Sequence, residues 1–253
     1  MTRRRFYAPP DSFAPDGARV VLPAEESRHL RDVLRLRAGD EASVFDGEGR
    51  EFACVVRGVG GREAALEVRG RVEPPSPESP LELTLAVALL KGEKFDLVVQ
   101  KATELGAARV VPLETKRSDV RLRDRADAAR RVGRWRRLAL EASKQSGRAR
   151  VPAVAEPTPF DSLVADAARD GELRLFFAER GGGALDPLST EGEPSPAAVT
   201  ALVGPEGGWD DEEVALARGR GWTVVTLGGR TLRAETAAIT VTALLQHLYG
   251  DLK

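Results

Sequence analysis

Two short stretches in the last quarter of the chain hold the residue types suited to gripping a flat small molecule. One is Val203-Gly204-Pro205-Glu206-Gly207-Gly208-Trp209; the other is Leu227-Gly228-Gly229-Arg230-Thr231-Leu232-Arg233-Ala234-Glu235-Thr236-Ala237. Each follows an apolar run and precedes a helical pattern. Loops at the carboxyl ends of parallel strands are where open α/β sheets bind ligands, and glycine lets the backbone approach a ring or ribose closely. Leu202, Leu227 and Leu232 are placed to sandwich a purine whose edge the backbone reads. Spacing alone leaves two readings open: two lips of one ligand site, or two tight turns that use glycine for positive φ.

Other familiar chemistry is missing. There is no Gly-x-x-x-x-Gly-Lys-Ser/Thr phosphate loop, no Gly-x-Ser-x-Gly nucleophile turn, no His-Glu-x-x-His helix and no Gly-x-Gly-x-x-Gly after a strand. This argues against an ATPase, a serine hydrolase, a zinc protease and a Rossmann dehydrogenase. A single cysteine, Cys54, excludes an internal disulfide, and with only His29 and His247 beside it no metal site is expected.

The elements that must position the two stretches follow from periodicity. Residues 81–90 form a near-continuous apolar strand, and a helix over 93–105 places Phe95, Val98, Val99, Ala102 and Leu105 on one face. A strand at 109–112 follows, then a long helical stretch after Lys116-Arg117-Ser118 that glycine stops at Gly147. Further strands are expected at 151–154 and 173–178, a helix at 160–168, and a loop at 181–196. The last helix, 234–248, carries Ala237, Val241, Leu244, Leu245 and Leu248 as one stripe. Unbroken apolar strands alternating with amphipathic helices predict an α/β domain with a mostly parallel sheet.

Residues 1–72 have a different rhythm. Short alternating runs at 41–45 and 51–56 flank the hairpin signal Asp46-Gly47-Glu48-Gly49, another strand is expected at 64–68, and one short helix lies within 23–39. This pattern suggests a compact β-barrel. Residues 73–80, with four prolines, are the natural linker, leaving 81–253 as the second domain.

Hydrophobic residues make up 42% and charged residues 30%, as in ordinary soluble proteins, and no apolar run approaches a membrane span. The basic N-terminus has no apolar region behind it, so a cytoplasmic location is expected. The net charge of −1 conceals an asymmetry: residues 116–150 carry +9 and residues 151–253 carry −8. A basic band in a neutral chain suits a polyanion met on one face, or a solvated arginine-rich helix.

The run Gly-Pro-Glu-Gly-Gly, followed by Leu-Gly-x-Arg-x-Leu-Arg-x-Glu-Thr-Ala, resembles the C-terminal signature of the SPOUT methyltransferases, specifically the 16S ribosomal RNA uridine N3-methyltransferases. Similar runs extend over nearly the whole chain: Arg4-Arg5-Phe6-Tyr7, His29-Leu30-x-x-Val33-Leu34-Arg35, Phe45-Asp46-Gly47, Lys91-Gly92-Glu93-Lys94, 100–106 and 141–148. Several motifs in one order are far more specific than any one of them.

The resemblance implies a PUA-like RNA-binding barrel, a SPOUT α/β domain with a trefoil knot, and a homodimer formed through the SPOUT domain. The cofactor would be S-adenosylmethionine, and the substrate 16S ribosomal RNA in the small subunit. The implied cofactor residues are Leu202, Gly204, Pro205, Glu206, Gly207, Gly208, Leu227, Gly228, Leu232, Thr236 and Ala237. Arg233 is the expected catalytic cation and Glu235 a candidate proton acceptor. Arg4, Arg5, Arg28, Arg31, Arg35, Lys91, Lys94, Lys116, Arg117 and Arg148 are expected to contact RNA. Competing readings are a SPOUT enzyme acting on another atom, such as a transfer-RNA ribose 2′-hydroxyl, and a non-catalytic RNA-binding or ribosome-assembly module.

Overall fold

Why the chain divides is visible in its two strand patterns. In the computed structural model, which describes residues 4–60, 63–185 and 196–253, the chain forms two compact units. One comprises Met1–Glu78 with Ser143–Val151, the other Ser79–Ala142 with Pro152–Lys253.

The first unit holds β1 (Arg5–Tyr7), β2 (Arg19–Val21), α1 (Ala24–Arg28) with a π-helical turn His29–Val33, β3 (Glu41–Phe45), β4 (Glu51–Gly60) and β5 (Glu63–Val72). The sheet order is β1-β3-β4-β5-β2, and only the β1–β3 pair is parallel. Phe6, Val20, Leu22, Leu30, Val44, Val56 and Leu66 form its core. The predicted β3–β4 turn forms because the Asp46 carboxylate accepts hydrogen bonds from the backbone N–H groups of Glu48 and Arg50. The proline-rich segment is held down: Ser76 Oγ donates to Ser146 O at 2.8 Å, and Glu78 pairs with Arg148.

The second unit runs β6 (Glu82–Ala88), α2 (Lys94–Glu104), β7 (Arg109–Glu114), α3 (Arg125–Ser146), β8 (Ala153–Val154), β9 (Thr158–Pro159), α4 (Phe160–Ala165), β10 (Glu172–Phe177), β11 (Ala198–Val203), α5 (Asp211–Gly219), β12 (Thr223–Val225) and α6 (Ala234–Tyr249); the last turn of α3 belongs to the first unit. Its sheet is parallel throughout, ordered β12-β10-β11-β6-β7-β8, with β9 also on β7. The unbroken apolar strands are buried, Leu83, Leu85, Ala86, Leu175, Phe176, Ala201 and Leu202 among them.

Three local expectations are adjusted. The basic helix begins only at Arg125, because Ser118 and Arg121 instead bond backbone carbonyls: Ser118 Oγ donates to Leu89 O just after β6, and Arg121 to Thr115 O and Lys116 O in the loop after β7. The helix at 160 stops at Ala165, where Asp166 turns extended with ψ 141°. On α6 the buried stripe is Ala234, Ala238, Val241, Leu245 and Tyr249, so Ala237, Leu244 and Leu248 from the predicted stripe are only half-buried. Part of the loop expected at 181–196 and the first three residues of the basic N-terminus lie outside the described residues.

Candidate functional site

The carboxyl ends of β10, β11 and β12 are adjacent: Phe177 is in register with both Val203 and Val225. Beyond them lies a cleft of about 310 Å³ lined by the strand ends and both glycine-bearing loops. Its apolar wall includes Phe177, Ala178, Val203, Pro205, Leu227, Leu232 and Ala237; its polar groups include Lys94, Glu179, Glu206, Arg230 and Arg233. Both stretches singled out in the sequence therefore face one cavity, and the carboxyl end of β10 supplies a third wall.

Trp209 fixes the shape of the first loop. Its indole Nε1 donates to Phe177 O at 2.8 Å, and its ring packs 4.4 Å from Phe176 and 5.3 Å from Phe160, centroid to centroid. A Cβ on Gly204 would come within 2.9 Å of that Nε1, which is why this position is glycine. The loop then ends in a capping box: Asp210 and Glu213 reciprocally cap α5. Glu213 is buried and also accepts from Lys116 N at 2.9 Å, which ties the loop after β7 to the same place.

Charge in the cleft is organised around Lys94, the first residue of α2. Its Nζ donates to Glu206 Oε1 at 3.0 Å and lies 3.8 Å from Glu235 Oε2. Burial pushes the Glu206 carboxyl up, but hydrogen bonds from Lys94, its own backbone N–H and that of Lys91 outweigh it and hold the group below the usual carboxylate range. Glu235, in the first turn of α6, has a side chain 12% exposed, and its Oε2 is buried without a hydrogen-bond partner among the described residues. Arg233 is the N-cap residue of α6, exposed, lining the cleft, and not ion-paired among the described residues.

Of the predicted cofactor residues, Gly204, Pro205, Glu206, Leu227, Leu232 and Ala237 line the cleft. Leu202 does not; it is fully buried in the core with Phe176 and Trp209, because it sits one residue before the strand end and points to the opposite face from Val203. Gly207 packs instead toward Arg117 O, and Gly208 takes φ +69° beside Glu179. Gly228, Thr236 and Glu235 are adjacent to lining residues but outside the wall. Residues that sequence reasoning missed are Phe177, Ala178 and Glu179. The strand ending there was legible, but only the sheet order puts its end beside the two loops.

The expected RNA-facing residues separate into two groups. Arg4, Arg28, Arg35, Lys91, Lys116 and Arg117 are exposed, and Arg31 is half-buried. Lys116 and Arg117 are ion-paired with Asp210, Lys116 also with Glu212, and Lys91 pairs with Asp119. Arg5 and Arg148, by contrast, are only 7% and 4% exposed. Arg5 pairs with Glu51 at 2.9 Å and donates to Arg148 O at 2.8 Å, while Arg148 pairs with Glu78. Buried guanidiniums held by carboxylates and carbonyls build the first unit rather than its surface. Lys94 faces the cleft.

Residues 77–246 match the model of the RNA methyltransferase domain, and residues 22–69 that of the RNA methyltransferase PUA domain. The ribosomal RNA small subunit methyltransferase E of Synechocystis is 34% identical over 233 residues, covering 91% of this chain and 74% of that protein. The chain belongs to the ribosomal RNA small subunit methyltransferase E family. A family member from Mycobacterium bovis is 31% identical, covering 94% of this chain and 89% of its own. The crystal structure of the ribosomal RNA small subunit methyltransferase E from Neisseria gonorrhoeae, bound to S-adenosyl methionine, matches with a TM-score of 0.85 at 32% identity over 99% of this chain and all of that one. A Legionella pneumophila protein solved with the same cofactor gives 0.86 at 33%, covering both chains in full.

Proposed function

We propose that this chain transfers the methyl group of S-adenosylmethionine to N3 of a uridine in 16S ribosomal RNA of the small ribosomal subunit. The observation that carries this reading is the cleft at the ends of β10, β11 and β12, lined by the two loops of the family signature. Its volume falls at the lower end of small-ligand pockets, and its lining suits the cofactor. Apolar side chains can flank the adenine, while Glu179 and Glu206 are carboxylates able to accept from ribose hydroxyls or face a cation. Gly204, Pro205, Glu206, Leu227, Leu232 and Ala237 would form the wall of that site; Gly207, Gly208, Gly228, Thr236 and the core residue Leu202 would support it.

When bound, the cofactor supplies an electrophilic methyl on a sulfonium. Uridine N3 carries a proton at neutral pH, so the chain must hold the base in line and favour its anion. Arg233, exposed at the head of α6 and not ion-paired among the described residues, is placed to offer a fixed positive charge and a fork of donors to the developing anion or the adjoining phosphate. Glu235 is set behind the wall and is the weaker candidate for receiving the proton.

Within the first unit, residues 1–72 are proposed as the RNA-binding PUA-like barrel, joined by 73–80 to a SPOUT domain (81–253) whose segment Ser143–Val151 belongs to the first unit. Arg4, Arg28, Arg31 and Arg35 in the first unit, and Lys91, Lys116 and Arg117 in the second, are the chain's proposed phosphate contacts. The half-buried face of α6 with Ala237, Leu244 and Leu248 is proposed to pair two copies as a homodimer. The threading of the chain into a trefoil knot and a cytoplasmic location belong to the same proposal. Among the described residues no helix is long and apolar enough to cross a membrane, and no group of three or more His, Cys, Asp or Glu could hold a metal.

Calorimetry with S-adenosylmethionine tests the reading. A saturable one-site isotherm, weakened by Glu206→Ala, is expected; absence of binding would remove the catalytic reading and leave an RNA-binding module.

A further inference from the structure

The cation at the head of α2 is misplaced by helix electrostatics alone. A helix N-terminus disfavours positive charge, yet Lys94 occupies the first helical position, after a turn in which Gly92 adopts φ +61°. Two carboxylates from two other segments compensate it. Glu206 belongs to the loop after β11 and accepts one Lys94 hydrogen bond; Glu235 belongs to the first turn of α6 and stands 3.8 Å away, beyond hydrogen-bond length. An ammonium has three donors, so Lys94 has donors to spare. Among the described residues Glu235 Oε2 is a buried acceptor with no donor, a costly state that an advance of about 1 Å by the flexible lysine would relieve.

We infer that Lys94 is a positioning residue for methyl transfer, clamping the Glu206 loop to the first turn of α6 by bridging Glu206 and Glu235. Arg233 is the N-cap of that turn, and Ala234 and Ala237 from the same turns line the cleft, so whatever fixes Glu235 fixes the direction of the Arg233 guanidinium. The two glycine-bearing lips come from loops separated by α5 and β12; among the described residues Lys94 is the side chain within ion-pair range of a carboxylate beside each. This role rests on the proposal that the cleft holds S-adenosylmethionine, and it replaces a phosphate contact as the role of Lys94.

The test compares the full-length chain with Lys94→Met, Lys94→Arg, Glu235→Gln and the Lys94→Met/Glu235→Gln double variant. Turnover is measured at saturating cofactor and small subunits, and the salt dependence of RNA binding alongside it. Lys94→Met is expected to lower kcat by about tenfold to a hundredfold, the scale of an ångström-level misplacement, with an unchanged salt slope. Lys94→Arg, which keeps the bridge, should stay within about threefold of the parent, and the double variant should be no worse than the poorer single one. In the cofactor-free chain, amide exchange in the first two turns of α6 should be faster in Lys94→Met than in the parent. If Lys94→Met does not fold, Glu235→Gln in the parent and Lys94→Arg backgrounds carries the same test. Accelerated exchange and lower kcat in both would support the clamp; unchanged values would overturn it. Multiplying effects in the double variant, or a salt slope reduced by about one with kcat intact, would also overturn the inference. A parent chain that neither binds the cofactor nor methylates overturns the functional reading and the clamp with it. A parent that does both while Lys94→Met keeps full turnover overturns the clamp alone.

Discussion

Gly204→Ala puts a methyl group where the indole of Trp209 already lies. The new Cβ would stand 2.9 Å from Nε1 and 3.0 Å from Cε2. The ring has little room to retreat: it is 5% exposed, wedged against Phe160 and Phe176, and pinned by its bond to Phe177 O. Overpacking of this kind costs about 1–3 kcal/mol, and an indole N–H pushed off its carbonyl adds about 1 kcal/mol or more, so a loss of roughly 2–4 kcal/mol is expected. All three tryptophans, Trp135, Trp209 and Trp222, belong to the second unit, so urea unfolding followed by their fluorescence reports that unit. The loss should fall by about 1 kcal/mol or more in a Trp209→Phe background, where the smaller ring lacks the N–H. Cofactor affinity should drop with stability, since Gly204 lines the cleft. A Gly204→Ala cost below about 0.5 kcal/mol, or the same cost in both backgrounds, would refute the reasoning.

Removing the Arg233 guanidinium with Arg233→Ala should lower kcat by about 10²–10³ at saturating RNA and cofactor, as loss of an anion-stabilising donor does; full turnover would end its catalytic assignment. Because the Glu206 pKa is depressed in the folded chain, its stabilising contribution is complete above the ordinary carboxylate value of about 4.3 and is lost as pH falls through the lower folded value. Urea midpoints of the parent and Glu206→Gln should therefore differ at neutral pH and converge in acid; a constant gap would contradict the ion pair. Burial pushes the Cys54 thiol up to about 12, so a thiol reagent at pH 8 should label it only on unfolding, and fast labelling of the native chain would show the first unit packs differently.

Much of this architecture was legible because it rests on local rules. The β3–β4 turn follows from Asp46 and Gly47, the parallel sheet from strands such as Leu83 to Ala88, and the fall of both signature loops on one cleft from their place after strands. What was not legible depends on partners distant in sequence. Lys94 reads as one more surface cation until Glu206 and Glu235 arrive beside it; Arg5 reads the same way until Glu51 and the Arg148 carbonyl bury it. Phe177 and Glu179 join the site only because β10 lies between β11 and β12, an order that no periodicity encodes. The phase of α6 shifted for a related reason: Thr242 and Gln246 are buried through bonds to Ala238 O and Ser79 Oγ, which hydrophobic patterning assigns to the outer face.

The most direct measurement is methyl transfer itself. The chain is incubated with methyl-labelled S-adenosylmethionine and small ribosomal subunits from a strain lacking the modification, and the digested 16S RNA is analysed by nucleoside mass spectrometry. One labelled N3-methyluridine per 16S molecule is expected, formed about 10²–10³ times more slowly by Arg233→Ala. Label on a ribose 2′-hydroxyl, label on another RNA, or no transfer by a chain that binds the cofactor would contradict it.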